Sequence, residues 1–372
     1  MEIKGIKYVA PYYDNSGYAK AARHNILALN KLGIPLTLLP MSFEAAHPDL
    51  GEHNQLFQEL TNREIEYNIV LMHCTPEFYS KYREEGKLNV AFTIWETTKL
   101  HPSWKQYIND NVKGLMVGCE WNVSVFKESG VTVPIFNAPH CVDIKFFEKA
   151  VPFDVKGVDK DTFMFYSIFQ WTERKSPLDL IKAYWLAFQN SENVALVLKT
   201  YRSDYSEAEK EAIRTTIKRL RFICPLDKYS PIYLISDMLS EDEINGLHAR
   251  GNCYVSLDRG EGFGLSPFQA GAAGNPIIVT GFGGVTEYAK EDNSYLVNFM
   301  EIPVYGMPWS PWYKLDQNWA QASPAHGAEL MRYVYNNQEE SKARGQKLKA
   351  YIKENFSMEV IGNKIIDTIR SL

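Results

Sequence analysis

Three segments of this sequence set glycines, cations or carboxylates directly after a short apolar run. The longest is Leu257-Asp258-Arg259-Gly260-Glu261-Gly262-Phe263-Gly264-Leu265-Ser266-Pro267-Phe268-Gln269-Ala270, which leads into a helix-forming stretch ended by Gly274 and Asn275-Pro276. Ser266 fits the N-cap of that helix and Pro267 its first turn. Gly262 and Gly264 let a backbone come close to a ligand and offer it N–H groups. Those groups and the helix dipole favour one anion at one place, such as a diphosphate. The same spacing also suits a plain strand-to-helix turn in which the glycines only relieve crowding.

The second segment is Phe169-Gln170-Trp171-Thr172-Glu173-Arg174-Lys175-Ser176-Pro177. Its adjacent cations, Arg174 and Lys175, suit a negatively charged leaving group; their other reading is a solvated surface pair. The third is Gly281-Phe282-Gly283-Gly284-Val285-Thr286-Glu287. Gly283-Gly284 lets the backbone pass close to a sugar; Glu287 either binds a hydroxyl or, as expected here, caps a following helix.

These segments need a frame that brings strand ends together. Apolar runs alternate with amphipathic stretches along the whole chain, the pattern of parallel sheets with crossover helices, so the fold class is α/β. The spacing predicts strands at Ile6–Val9, Leu36–Leu39, Ile69–His73, Val90–Ile94 and Leu115–Val117, with a helix over Tyr18–Leu32 stopped by Gly33. A second series has strands at Phe163–Ile168, Val194–Lys199, Ile232–Ile235, Tyr254–Leu257 and Ile277–Val279, the last completing the sheet. Its helices are expected over Pro177–Phe188, Glu207–Arg221 and Ser240–Arg250, with Ser240 and Glu243 as a capping box. The charged stretch Lys149–Asp161, with Pro152 and Gly157, reads as the linker. Two open sheets in tandem imply a cleft, where such folds hold ligands.

Bulk properties narrow the function. The 372 residues suit two domains, and the net charge of −5 gives no global attraction to nucleic acid or anionic lipid. No apolar run approaches the roughly 20 residues that span a bilayer. The opening MEIKGIKYVAPYYD reads as a charged lead-in to a strand, not as a signal peptide. The five cysteines are scattered and form no C-x-x-C pair, which suits reduced thiols and a cytoplasmic location.

The three loops, in this order, resemble the donor domain of glycosyltransferase family 4. That family has the GT-B fold: two Rossmann-like domains facing each other across a cleft. It carries two glutamates, with seven residues between them, around a GFGL-like turn; here Glu261 holds the first position and Gln269 the second. Arg174-Lys175-Ser176-Pro177 resembles the family's basic R-K-x-P variant, Ser240–Leu247 its preceding helix, and Gly283-Gly284-x-x-Glu287 its following turn. Trp319-Ala320, Pro324 and a helix from about Ala328 resemble the tail of one branch. The likeness is fullest over Phe163–Phe356.

The resemblance implies an N-terminal acceptor-binding domain (1–150), a linker (151–161), a donor domain (162–356) and a C-terminal helix (357–372) returning to the first domain. It implies that Arg174 and Lys175 hold the diphosphate. Glu261 and the backbone of Gly262, Phe263, Gly264 and Leu265 would hold the donor sugar and β-phosphate. Gln269 would hold the ribose, its amide both accepting and donating. The base would lie near Asp237-Met238-Leu239. In the first domain, Ser16-Gly17-Tyr18-Ala19 resembles the family's glycine-rich loop, so Gly17 would face the diphosphate. Glu96, in Phe92-Thr93-Ile94-Trp95-Glu96, stands where many members have a histidine, and would bind donor hydroxyls or orient the acceptor. Glu96 as a partner of Lys99 or Arg83 is its other reading. His73 ends a strand and is either structural or site-lining, like Gly283 and Gly284. His140 is expected to shape the hinge. The Pro308-Trp309-Ser310-Pro311-Trp312-Tyr313 cluster stacks on a sugar or packs as a loop.

Family members transfer a sugar from a nucleotide-diphosphate donor with retention of configuration, the leaving diphosphate taking the acceptor's proton. No cofactor and no metal are then expected. Asp159-Lys160-Asp161 spells the D-x-D metal motif of another glycosyltransferase fold, but it falls in the linker. Two other readings stand beside this one: a non-catalytic nucleotide-sugar-binding protein with a degenerate site, and a glycosyltransferase acting on a modified nucleic-acid base. The net charge argues against a broad duplex-binding face. Phosphorolysis is disfavoured because no pyridoxal-phosphate lysine loop is evident.

Overall fold

A computed structural model describes residues 1–42, 50–188 and 192–372. In chain order its elements are β1 (Ile6–Ala10), α1 (Gly17–Lys31), β2 (Leu36–Pro40), α2 (Asn54–Leu60), β3 (Ile69–His73), α3 (Tyr79–Tyr82), β4 (Leu88–Phe92), α4 (Pro102–Asn111), β5 (Gly114–Val117), α5 (Glu120–Glu128), β6 (Ile135–Asn137) and α6 (Lys145–Glu148). There follow β7 (Phe163–Gln170), α7 (Pro177–Ala187), β8 (Val194–Tyr201), α8 (Glu207–Leu220), β9 (Ile232–Ile235), α9 (Glu241–Arg250), β10 (Cys253–Ser256), α10 (Leu265–Ala273), β11 (Ile277–Thr280), β12 (Tyr295–Val297), β13 (Phe299–Pro303), β14 (Asn318–Ala322), α11 (Pro324–Asn336), α12 (Gln338–Asn355) and α13 (Met358–Ser371). The chain divides into two compact units, Met1–Asp143 with Lys353–Leu372, and Ile144–Ile352.

Unit 1 is a parallel sheet in the order β2-β1-β3-β4-β5-β6. Ser16 caps α1 by accepting from Ala19 N at 3.2 Å, and Gly33, at φ +74°, turns the chain out of that helix. The amphipathic α13 packs on α1, where Gly362 lies against Leu32 and Ala28. β4 runs from Leu88 to Phe92, two residues earlier than the expected Val90–Ile94. Leu88 N already bonds Asn68 O at 3.0 Å. Beyond Thr93, side chains satisfy the backbone: Ile94 N donates to Tyr18 Oη and Trp95 N to Asn122 Oδ1.

Unit 2 is a parallel sheet in the order β12-β11-β10-β7-β8-β9. One face carries its main core. Val194, Leu196 and Leu198 of β8 meet α7, α8 and α11 there, through Leu180, Ile181, Tyr184, Ile213, Ile217 and Met331. On the other face Tyr166 bonds His248 of α9 at 2.9 Å. Ser240 and Glu243 form a complete capping box on α9. The segment 151–161 lies within unit 2, pinned by Phe153 N to Gly246 O (2.9 Å) and by Tyr233 Oη to Gly157 O (2.7 Å).

Three expectations change here. The sheet does not end at β11, because β12 extends it and an antiparallel β13–β14 hairpin follows. Glu287 ends a short 3₁₀ segment, Gly283–Glu287, that is followed by β12, so it caps no helix. Helix α11 begins at Pro324 and not near Ala328, since Ser323 accepts from His326 N and supplies the cap.

Candidate functional site

The strand order of unit 2 reverses direction at β7 and β10: β8 and β9 lie to one side, β11 and β12 to the other. Ligands of doubly wound sheets bind at the carboxyl ends of the strands flanking such a point. Here the loop after β7 (171–176) and the loop after β10 (257–264) meet.

The meeting is an ion cluster. Lys175 Nζ contacts the Glu261 carboxylate and lies 3.5 Å from Asp258 Oδ2. Arg174 Nη1 is 3.3 Å from Glu261 Oε2 and donates to Gly260 O at 2.7 Å. Glu261 and Asp258 are only 8% and 7% exposed, so each carboxylate needs these cations. The structure therefore gathers Arg174, Lys175 and Glu261, and adds Asp258, which sequence reasoning missed. Asp258 could have been found as a carboxylate three residues before Glu261 at the same strand end.

Beside the cluster, α10 starts at Leu265 with Gly264 as its N-cap, at φ +83°. This replaces the expected Ser266 cap; Ser266 is already inside the helix. Only glycine fits at 264. A Cβ there would sit 2.7 Å from Val285 Cγ1 and 2.9 Å from Tyr288 Oη, in a left-handed conformation. A glycine cap has no side chain to accept from the first amides, so they keep their capacity for an anion. The Phe263 side chain is fully buried against Phe268 and Tyr288, which leaves its backbone as the part a ligand could meet. Gln269 is buried on the same helix, and among the described residues its amide makes no hydrogen bond.

Gly283 and Gly284 approach a backbone. Gly284 N donates to Glu261 O at 2.7 Å, and a Cβ at 284 would run into Gly262 O and Phe263 N. These glycines seat the third loop on the second.

Arg259 holds the arrangement from behind. Its N donates to Arg174 O at 2.7 Å, its Nη1 to Glu173 O, and its Nη2 lies 3.1 Å from Asp179 Oδ2. Its guanidinium is stacked 5.2 Å from the Tyr305 ring centroid. Asp179 also accepts from Ser176 Oγ (2.7 Å), Gln321 Nε2 (2.8 Å) and Lys182 Nζ (3.0 Å). Burial pushes the Asp179 carboxyl up, but hydrogen bonds from Gln321, Ser176 and Lys182 outweigh it and hold the pKa below the usual value. Ser176, at φ +46°, is a non-glycine residue in the left-handed region, and this network fixes it there. Trp309 of the aromatic loop is exposed, while Trp319 is buried in the hairpin. At the end of β9, Met238 is half exposed, Leu239 is partly buried, and Asp237 pairs with Lys210 at 2.7 Å.

In unit 1, Gly17 is the first, exposed residue of α1. The Tyr18 hydroxyl bonds Thr93 Oγ1 at 2.9 Å. Its pKa is raised by burial and, to a lesser degree, by the Glu96 carboxylate, so Glu96 and the Gly17–Tyr18 turn are near one another. His73 is 1% exposed. Its Nδ1 is 2.7 Å from Tyr8 Oη and its ring lies against Phe92, 4.3 Å between centroids. His140 stacks on both rings, 5.3 Å from Phe92 and 6.2 Å from His73. Both histidines sit in the packing of unit 1. Burial lowers both pKa values, His140 to about 3.

No model of a known protein family matches this chain. Among solved structures, sucrose-phosphate synthase from Thermosynechococcus elongatus superposes with a TM-score of 0.72 at 13% identity, covering 99% of this chain and 98% of that one. Anabaena Alr3699/HepE, crystallised with UDP and glucose, superposes with a TM-score of 0.68 at 12% identity, covering 99% and 100%. The fold is GT-B. In GT-B terms, both six-stranded sheets are Rossmann-like, and the ion cluster lies at the carboxyl edge of the second. In sequence, uncharacterized protein 356 of Sulfolobus islandicus rod-shaped virus 1 is 20% identical over 376 residues, covering 98% of each chain. Among the described residues no helix is long and apolar enough to cross a membrane.

Proposed function

We propose that this protein is a glycosyltransferase that binds a nucleotide-diphosphate sugar on unit 2 and transfers the sugar to an acceptor taken by unit 1. The observation that carries this is the convergence of Arg174, Lys175 and Glu261 beside the glycine-capped N-terminus of α10. The GT-B fold, and the UDP and glucose held by the Anabaena neighbour, support it.

In this reading the bond from the sugar's anomeric carbon to the diphosphate breaks as the acceptor oxygen bonds that carbon on the same face, with retention. The acceptor's proton passes to the leaving diphosphate oxygen. Arg174 and Lys175 turn from Glu261 and Asp258 toward the growing negative charge, and the amides of Gly264 and Leu265 bond the β-phosphate. Glu261, released from its cations, accepts from sugar hydroxyls, and Gln269 bonds the ribose. Glu96 binds donor hydroxyls or orients the acceptor. Charge stabilisation by the chain itself makes a metal unnecessary.

Thermal-shift titration with UDP-glucose, UDP-N-acetylglucosamine, GDP-mannose and ADP-glucose tests the proposal, since a ligand bound to the folded state raises apparent stability. One of the four should shift the melting temperature by several degrees, and its slow hydrolysis should release free sugar. Binding without hydrolysis or transfer would identify a non-catalytic receptor. The absence of any shift would sink the proposal.

A further inference from the structure

Lys199 lies near the carboxyl end of β8, level with Ile168 on β7 and Ile235 on β9. Alternate residues Val194, Leu196 and Leu198 face the main core, so Lys199 faces the side of α9 and α10. It is 6% exposed. Among the described residues its ammonium has no hydrogen-bond acceptor and no ion pair. It lies 5.1 Å from the Tyr205 ring centroid and 5.8 Å from that of Tyr201, and these two rings stack at 4.9 Å. The nearest counter-charge, Asp237, is committed to Lys210 at 2.7 Å.

An ammonium on a nearly buried lysine that meets two ring faces and makes no ion pair among the described residues is poorly compensated. Nothing in the fold of unit 2 calls for a cation here; an apolar side chain would complete the strand as well. The position matters instead. Neighbouring strands are about 4.8 Å apart, so the path from the N-terminus of α10 over β7 and β8 to the β9–α9 loop covers about 14 Å. A nucleoside diphosphate whose diphosphate sits at α10 and whose base lies near Asp237–Leu239 passes over Lys199.

We infer that Lys199 is a donor-binding residue whose ammonium bonds an acceptor oxygen on the nucleoside side of the diphosphate, with Tyr201 and Tyr205 holding it in place. The inference rests on the nucleotide-sugar reading above and adds a contact that the loop motifs do not contain. Burial lowers the Lys199 pKa to about 8, with Asp237 acting the other way. This agrees with a group whose one nearby carboxylate does not offset its burial.

The test is calorimetry of the full chain and its Lys199→Met variant with UDP, UMP and inorganic pyrophosphate, alongside their melting curves. Methionine keeps the stem and removes the charge. Lys199→Met should melt at or above the wild-type temperature. It should bind UDP and UMP roughly 10- to 100-fold more weakly, the loss expected for a hydrogen bond to a charged group. Pyrophosphate binding should be unchanged, and Lys199→Arg should recover part of the UDP affinity. Unchanged UDP affinity in Lys199→Met would overturn the inference, as would an equal loss for pyrophosphate, which would place the contact on the diphosphate. A lower melting temperature would show the lysine to be structural and overturn it too. A wild-type chain that binds none of UDP, ADP and GDP overturns the glycosyltransferase reading itself, a result distinct from selective failure of the lysine variant.

Discussion

Replacing Lys175 with alanine should have two separable effects. Its ammonium contacts Glu261 and lies 3.5 Å from Asp258, both nearly buried, while Arg174 remains 3.3 Å from Glu261. Breaking a buried ion pair from one side costs about 3–5 kcal/mol. The remaining arginine and partial solvent contact reduce that to about 2–3 kcal/mol, and for a unit of this size each kcal/mol lowers the melting temperature by about 2–4 °C. Lys175→Ala should thus melt about 4–12 °C lower. Because the lysine is also proposed to meet the diphosphate, UDP affinity should fall roughly 10- to 100-fold. The double variant Lys175→Ala, Asp258→Asn separates the two effects. Removing the stranded carboxylate should recover most of the melting temperature and none of the UDP affinity. Differential scanning fluorimetry and calorimetry on the same samples supply both readouts. If UDP affinity in Lys175→Ala equals that of the wild type, the diphosphate is not at this cluster. If the double variant is no more stable than the single one, the account of the ion pair is wrong.

Arg259→Ala removes the clamp on Glu173 and Arg174 and leaves Asp179 with three of its four partners, so a loss of about 2–4 kcal/mol is expected, read as a lower denaturant midpoint; a change under about 0.5 kcal/mol would refute the clamp. Sugar transfer or donor hydrolysis should survive EDTA, and loss of activity restored by Mn²⁺ or Mg²⁺ would refute metal independence. His140 and His73 give unit 1 a pH dependence. Unfolded histidine takes its proton near pH 6.5, whereas the folded His140 takes one only near pH 3. Stability is therefore full above about pH 6.5 and falls as the pH drops toward 3, by up to about 1.4 kcal/mol per pH unit for each histidine. Denaturant midpoints measured from pH 7.5 to 4.5 should show this fall, with a smaller slope in His140→Gln; equal slopes in the two proteins would refute the assignment.

The strands and most helices of both units were legible in the sequence because apolar alternation and caps such as Ser240 are local signals. Elements whose determinants are not local were missed. The β13–β14 hairpin was missed because its first strand, Phe299–Pro303, is largely exposed and ends in proline, so no buried alternation marks it. The early exit of β4 depends on the Tyr18 and Asn122 side chains, distant in sequence. Ser266 was a reasonable cap on residue type; the left-handed turn at Gly264 starts the helix earlier. Within the site, the loop motifs were readable, since each lies beside a strand end. The partnership of Arg259 with Asp179 and the isolation of Lys199 were not, because both depend on which strands are neighbours.

The contact of Gly284 with the backbone of Gly262 and Phe263 has a consequence for how this chain can vary. Side chains around a ligand loop can usually be exchanged while their neighbours adjust. Here the support beneath Glu261 is main chain on main chain, with no side chain to yield, so one methyl group at position 284 would be transmitted directly to the Glu261 carboxylate. The loop that carries the glutamate is thus tolerant of change at its surface and rigid toward change at its base. Drift in this chain should accumulate in the aromatic loop and the hairpin well before it reaches Gly283-Gly284.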